Sequence, residues 1–508
     1  MNTVARILTG LILLASFSKV IGKDNSMFGS SVFRNNVRPM VNVGLNFDMA
    51  TGNNVLWSAA HGSGGYSSPV VGDGKVLVST NNMAGYRPQH PRTKDRGVML
   101  CFEEKTGKFM WQLTRNKLAS GRVNDWPTLG MSSCACIQGH RAFVVTNRCE
   151  LMCLDMSGFA DGENDGPFTE EKDADVGDAD IVWSLDMTKH LDVFPHNVSI
   201  SSPVVYKDHV FVVTGNGADT SHRKIPSPDA PSFLCVNRKS GKVVWQDNSP
   251  GNQILHGSWS SPCIGVVDGR AQVCMPGGDG WLYGFDATAK EKTLLWKFDA
   301  NPKQSQWKLG GAGDRNNIIG TPVFHEESFV VGTGQDVEHG SGPAFLYRID
   351  ATKRGDISAE LGVRGKKGKP NPNSGMIWRY GGTDLDGSIT GEKGESIFNR
   401  TVSTAAIYDG LVYIGDTLGY FHCVDFETGK SVYQYDTSSA ITGSALLAED
   451  KVLFGTEDGD LIVLKQGREL NEIKKFETDE SIYTTPIIAN RVLYLLSRTR
   501  LHAISVSK

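Results

Sequence analysis

The sequence predicts an all-β protein, an eight-bladed β-propeller of four-stranded antiparallel blades. A short hydroxyl-rich motif recurs eight times, most copies lead through a tight turn into an apolar run, and strands bearing an aromatic alternate with them toward the C-terminus. Self-similarity of this kind marks a repeat architecture, in which each unit buries its apolar face only against its neighbours.

The opening motif is plainest at Ser67-Ser68-Pro69, Ser201-Ser202-Pro203, Ser260-Ser261-Pro262 and Gly320-Thr321-Pro322. Weaker copies stand at Ser132-Ser133-Cys134, Ser403-Thr404-Ala405, Gly443-Ser444-Ala445 and Thr484-Thr485-Pro486. Asp73-Gly74 and Asp409-Gly410 then sit between apolar runs, as a type I′ hairpin turn requires, because both central residues take positive φ. A third strand follows over 98–103, 151–155, 282–286, 346–350 and 421–425, each ending in an acidic residue. The fourth carries an aromatic: Trp111, Trp245 and Tyr433 come after Thr106-Gly107, Ser240-Gly241 and Thr428-Gly429, while Trp183, Trp296, Trp378 and Phe476 fill the slot in divergent copies. The first such aromatic, Trp57, precedes any opening motif, and the last motif, at Thr484, has no fourth strand after it. An N-terminal fourth strand completing a C-terminal three-stranded blade closes the ring and removes both open sheet edges.

Composition agrees. Glycine makes up 57 of 508 residues, against roughly 7% in average usage, which suits many short turns. The net charge of −4 leaves no bulk basic footprint for nucleic acid. Arg6, the apolar run over 7–17 and the small residue Gly22 ahead of Lys23 read as an export signal, the run being too short to span a bilayer. The expected organisation is a signal peptide at 1–22, a lead-in segment at 23–53 and the propeller at 54–508. That describes a soluble periplasmic or extracellular protein without membrane insertion.

Third strands ending in Asp and followed by T-G-x-x-x-W resemble the tryptophan-docking repeat of the pyrroloquinoline-quinone (PQQ)-like propellers. That family includes quinoprotein dehydrogenases and an outer-membrane assembly lipoprotein. The resemblance runs from about Val55 to the C-terminus, and the stretches 147–150, 161–168 and 315–319 are similar to a narrower exported group of planctomycete genomes without assigned chemistry. A dehydrogenase of this family implies bound PQQ, calcium to polarise its carbonyl and a carboxylate base. The adjacent cysteines that many such enzymes hold over the quinone are missing, the nearest approach being Cys134-Ala135-Cys136, and so is a C-x-x-C-H haem site. The favoured reading is therefore a non-catalytic binding or scaffold module for a protein, peptide or glycan, with no certain cofactor. The alternatives are a PQQ- and calcium-dependent alcohol or sugar dehydrogenase and an envelope protein-assembly scaffold, the latter weakened by the missing lipid-attachment cysteine.

Strand direction puts the second-to-third loops and the blade-to-blade connections on one face of such a ring. The long segments 81–97, 216–232 and 335–342, with connections 112–130 and 299–319, make that face the expected ligand site. Its candidate residues are Asn147 and Arg148 from the second blade, Asp219, His222 and Arg223 from the third, and Gln335, Asp336, Glu338 and His339 from the fifth. On the opposite face Asp161, Glu163, Asn164 and Asp165 space oxygen donors like a calcium loop, although Lys172 stands where the closing Glu belongs. The twelve histidines show no metal-ligand spacing. Cys101, Cys153, Cys235 and Cys423 share one repeat position with Gly284 and Arg348, which reads as a packing slot, and Cys263 and Cys274 flank Asp268-Gly269 so as to face each other across a hairpin.

Overall fold

Val55–Ala60 pairs antiparallel with Arg500–Ser505, and this ladder joins the two ends of the ring. The computed structural model describes residues 23–506; the signal expected at 1–22 lies outside the described residues. Eight four-stranded antiparallel blades follow one another in chain order. Blade one comprises Val70–Gly72, Lys75–Asn81, Arg96–Glu103 and Phe109–Asn116; blade eight comprises Ile487–Ala489, Val492–Leu496, Arg500–Ser505 and the N-terminal Val55–Ala60. Two blades gain a parallel edge strand: Val37–Arg38 joins blade seven and Gly355–Asp356 joins blade four.

The T-G turns and the tryptophans explain each other. Trp57 Nε1 donates to the Glu104 carbonyl at 2.9 Å, Trp111 to Met156 at 2.9 Å, Trp183 to Arg238 at 3.0 Å and Trp378 to Phe426 at 2.8 Å, each acceptor lying in the following blade. A Cβ on Gly107, Gly241 or Gly429 would come within 2.4, 2.7 or 2.6 Å of the ring of Trp57, Trp183 or Trp378. Glycine there supplies both a positive φ and the space into which the preceding blade's indole docks. The apolar core accordingly lies between blades, as where Trp111 packs with Met152 and Leu154 of blade two.

The cysteine slot faces these aromatics across the sheet: Cys101 opposes Trp111, Cys153 Trp183, Cys235 Trp245 and Cys423 Tyr433, with Gly284 opposite Trp296 and Arg348 opposite Trp378. All nine cysteines are free and buried, including Cys263 and Cys274, which do oppose each other across their hairpin. Two registers differ from the sequence expectation. In blade seven the aromatic slot opposite Val463 holds Lys474, and Phe476 stands two residues further on, opposite Leu461. In blade two the motif begins one residue later. Val145 N donates to Ser133 Oγ as Ser79 N does to Ser67 and Val213 N to Ser201, so Cys134 occupies the place of Ser68 and Ser202.

Candidate functional site

In seven of the eight opening motifs the second residue turns its side chain toward the preceding blade along the wall of the central channel. At seven of the eight junctions among the described residues, the backbone N–H of one blade donates to the hydroxyl or thiol of the next. Thus Ser68 N reaches Cys134 Sγ at 3.2 Å, Cys134 N reaches Ser202 Oγ at 3.0 Å, and Thr485 N reaches Ser68 Oγ at 3.0 Å, closing the circle. Ser202, Thr321, Thr404 and Ser444 donate in the same way to Ser261, Thr404, Ser444 and Thr485. The motif thereby satisfies buried N–H groups that no strand ladder reaches.

The segment ahead of the ring floors the channel. Val71 N donates to the Asn25 carbonyl, Ile137 N to Ser26, Ile264 N to Val32, Phe324 N to Phe33 and Leu447 N to Asn36, so the segment visits inner strands on all sides. Arg34 is fully buried there, and its guanidinium donates to the carbonyls of Phe28, Ser202 and Pro262 at 2.8–2.9 Å. Above this floor lies a cavity of about 280 Å³. Phe28 forms its base, the hydroxyl ring its wall, and Tyr66, Trp126, Trp259 and Tyr483 its loop side. Among the described residues, the only charged ones lining it are Asp336 and Glu338.

At the cavity's edge four loops on the long-loop face bring four histidines and Asp336 together. His196 comes from the connection between blades two and three, His222 from the long loop of blade three, and His256 from the connection between blades three and four. His222 Nε2 lies 2.8 Å from His256 Nε2 and 3.4 Å from His196 Nε2. His196 Nδ1 stands 2.6 Å from the Ala218 carbonyl, and His256 Nδ1 is 2.8 Å from Asp336 Oδ2, at an ion-pair distance but off the straight N–H line. The second Asp336 oxygen meets His339 Nδ1 at 2.6 Å. Trp259 packs on His256 with ring centroids 5.0 Å apart and joins this cluster to the cavity wall.

Electrostatics follow from burial. His196 is pushed down to about 4 by desolvation, reinforced by His256, and His222 is lowered for the same reasons. Burial works against ionisation of Asp336, yet His256 and His339 beside it hold its carboxyl well below the usual carboxylate range; His339 in turn is raised, chiefly by its hydrogen bond to Asp336. Asp219 shapes the loop that presents His222: its carboxylate accepts from Ser221 Oγ and from the Arg223 and Lys224 amides, which leaves His222 at φ 52°. Gln335 Nε2 donates to the Arg315 carbonyl at 2.8 Å, and Arg400 to that of His339 at 2.8 Å, fixing the blade-five loop.

Of the residues singled out from the sequence, Asp336 and His339 meet directly and His222 joins them through His256, Gln335 and Asp219 brace the loops, Glu338 lines the cavity and Arg223 is exposed. Asn147 and Arg148 serve a separate network between blades one and two, where Asn147 donates to Asp125 at 2.7 Å and Arg148 to the Asn116 and Lys117 carbonyls at 3.3 Å. On the opposite face Asp161 and Asp165 do approach Asp155, but Arg141 pairs with Asp155 and stands 3.5 Å from Asp165, so a guanidinium already supplies positive charge. Glu163 and Asn164 are exposed there. His196 and His256 carry no sequence signal, because they lie on different blade connections with no short spacing to the others.

The family's quinone finds no counterpart in this lining. PQQ is a tricarboxylate, and among the described residues the cavity offers it no Arg or Lys, only Asp336 and Glu338 of like charge. The residues present do not fit that group.

Residues 46–312 match the family model described as outer membrane protein assembly factor BamB, just over half of the chain. The chain belongs to this family. The BamB-type propeller of Moraxella catarrhalis superposes with a TM-score of 0.51 at 14% identity, over 89% of this chain and 97% of that one. Quinohemoprotein alcohol dehydrogenase ADHIIG of Pseudomonas putida HK5 superposes with a TM-score of 0.55 at 11% identity, over 95% and 80%. Both likenesses show the BamB-type fold alone. Among curated proteins none matches the chain. No helix among the described residues is long and apolar enough to cross a membrane.

Proposed function

We propose that this chain is an exported, non-catalytic binding module that takes a segment of a partner peptide or protein into the floored cavity from the long-loop face. The observation that carries the reading is the lining: an apolar and aromatic cup with a hydroxyl wall, closed beneath by Phe28 and bearing only negative charge at its rim. A pocket of that chemistry favours an aliphatic or aromatic side chain next to a basic group, the aromatic faces adding cation–π attraction. A peptide ligand also accords with relatives named for protein assembly.

Selection from a random peptide library tests this. Enriched sequences should pair an apolar residue with Lys or Arg, and Trp259→Ala should weaken them by at least about 30-fold, the scale of an interfacial tryptophan. Enrichment of acidic peptides, or binding indifferent to Trp259→Ala, would overturn it. Fractionation of the producing cells tests export: the chain should be recovered outside the cytoplasm.

A further inference from the structure

We infer that His196, His222 and His256 form a binding site for one borderline divalent transition-metal ion, Zn²⁺ in the first instance, at the edge of the cavity. Each of the three brings a ring nitrogen within 4.8 Å of the other two. The two shortest separations, 2.8 and 3.4 Å, both run between Nε2 atoms. Three ligands at about 2.0–2.1 Å from a tetrahedral ion stand about 3.3 Å apart, so the His196–His222 pair is already spaced for one and the His222–His256 pair has only to open by about 0.5 Å.

The outer partners set the direction of the lone pairs. With Nδ1–H of His196 given to the Ala218 carbonyl and Asp336 facing Nδ1 of His256, the Nε2 atoms of both rings point inward as acceptors. Such an arrangement, in which a carbonyl or carboxylate fixes the far nitrogen, orients imidazole for a metal. A single proton can bridge one pair of these nitrogens; an ion serves all three.

The backbone is cut to let the rings close in. A Cβ on Gly310 would come within 2.8 Å of the His222 side chain, and one on Gly217 within 2.6 Å of the His196 Cβ. His196 and His256 are buried while His222 is exposed, so the site has two fixed ligands and one on the solvent side through which an ion can enter. Three neutral nitrogens suit Zn²⁺, Cu²⁺, Ni²⁺ or Co²⁺ and disfavour Ca²⁺ and Mg²⁺, which take oxygen. Three protein ligands leave a tetrahedral ion one open position.

This inference stands apart from the peptide reading, since metal uptake is measured with no peptide present. The experiment uses untagged full chain, stripped with a chelator and titrated with Zn²⁺ by calorimetry, and with Co²⁺ by visible absorption. One Zn²⁺ per chain and the intense bands of tetrahedral Co²⁺ are expected. His222→Gln, on an exposed loop where folding is not at stake, should weaken Zn²⁺ at least about 100-fold, and Asp336→Asn about 10–100-fold as an outer partner does. His190→Gln, at a histidine outside the cluster, should bind as the parent does. Failure of the parent to take up Zn²⁺ at micromolar concentration, or parental affinity in His222→Gln, or octahedral Co²⁺, would overturn the assignment.

Discussion

Trp57 docks on Gly107: its indole N–H reaches the Glu104 carbonyl at 2.9 Å, and its ring fills the space that a Gly107 Cβ would enter at 2.4 Å. Gly107→Ala should therefore cost the left-handed backbone penalty and displace the ring as well, about 2–4 kcal/mol together. Gly74 also sits at positive φ, 69°, but with nothing within 4 Å, so Gly74→Ala should cost only about 1 kcal/mol. Urea unfolding of the two variants isolates the docking contribution as their difference; equal losses would remove it.

The hydroxyl ring makes a second prediction. Ser202→Ala leaves the buried Cys134 N–H without its acceptor, 3.0 Å away in the parent, and should destabilise by about 1–3 kcal/mol. Cys134→Ser restores the residue type found at most of the other junctions and should change stability by less than about 1 kcal/mol. Thermal unfolding of both variants distinguishes an acceptor role for the thiol from mere filling of space.

Arg34 holds three backbone carbonyls and lies beneath the cavity. Arg34→Ala should cost about 2–4 kcal/mol, because charge-assisted bonds are lost and buried acceptors are stranded. Arg34→Lys should recover less than half, since an ammonium cannot span the three acceptors as the planar fork does. Denaturant unfolding monitored at the tryptophans gives the measurement.

The closing blade should be acid-sensitive. His502 is buried and pushed down to about 4 by desolvation and then by Arg500, and His61 nearby is lowered by burial. The unfolded chain takes up these protons near pH 6.5 while the folded one resists, so stability is complete above pH 6.5 and falls as pH drops toward about 4. The loss from His502 is on the order of 3 kcal/mol at full protonation. His502→Gln should flatten the dependence of Tm on pH across that window; an unchanged slope would place the sensitivity elsewhere.

The ring was legible because its determinants are local. Turn glycines, docking tryptophans and opening motifs all act within one blade or onto the next, and each copy repeats the same spacing. The two misread registers have physical reasons. At Cys134 a thiol does the work of a hydroxyl, so a search for serine slips by one residue. At Phe476 the ring is not covered in the tryptophan slot but stacks on Phe47 from the lead-in, centroids 4.1 Å apart, while the Lys474 ammonium lies over its face. The candidate site was half legible: strand direction assigned the loops of His222, Asp336 and His339 to one face, but His196 and His256 become their neighbours only when four loops fold over the same rim.

The N-terminal segment that floors the channel lends an edge strand to blade seven alone, yet it touches nearly all of the blades. The cavity wall is drawn from blades all around the ring and its base from the N-terminal segment, so no arc of blades alone holds a cup. Occupancy of the cavity is thus a readout of completeness. On the proposed function, a chain with an unsealed seam should lose binding altogether rather than bind more weakly.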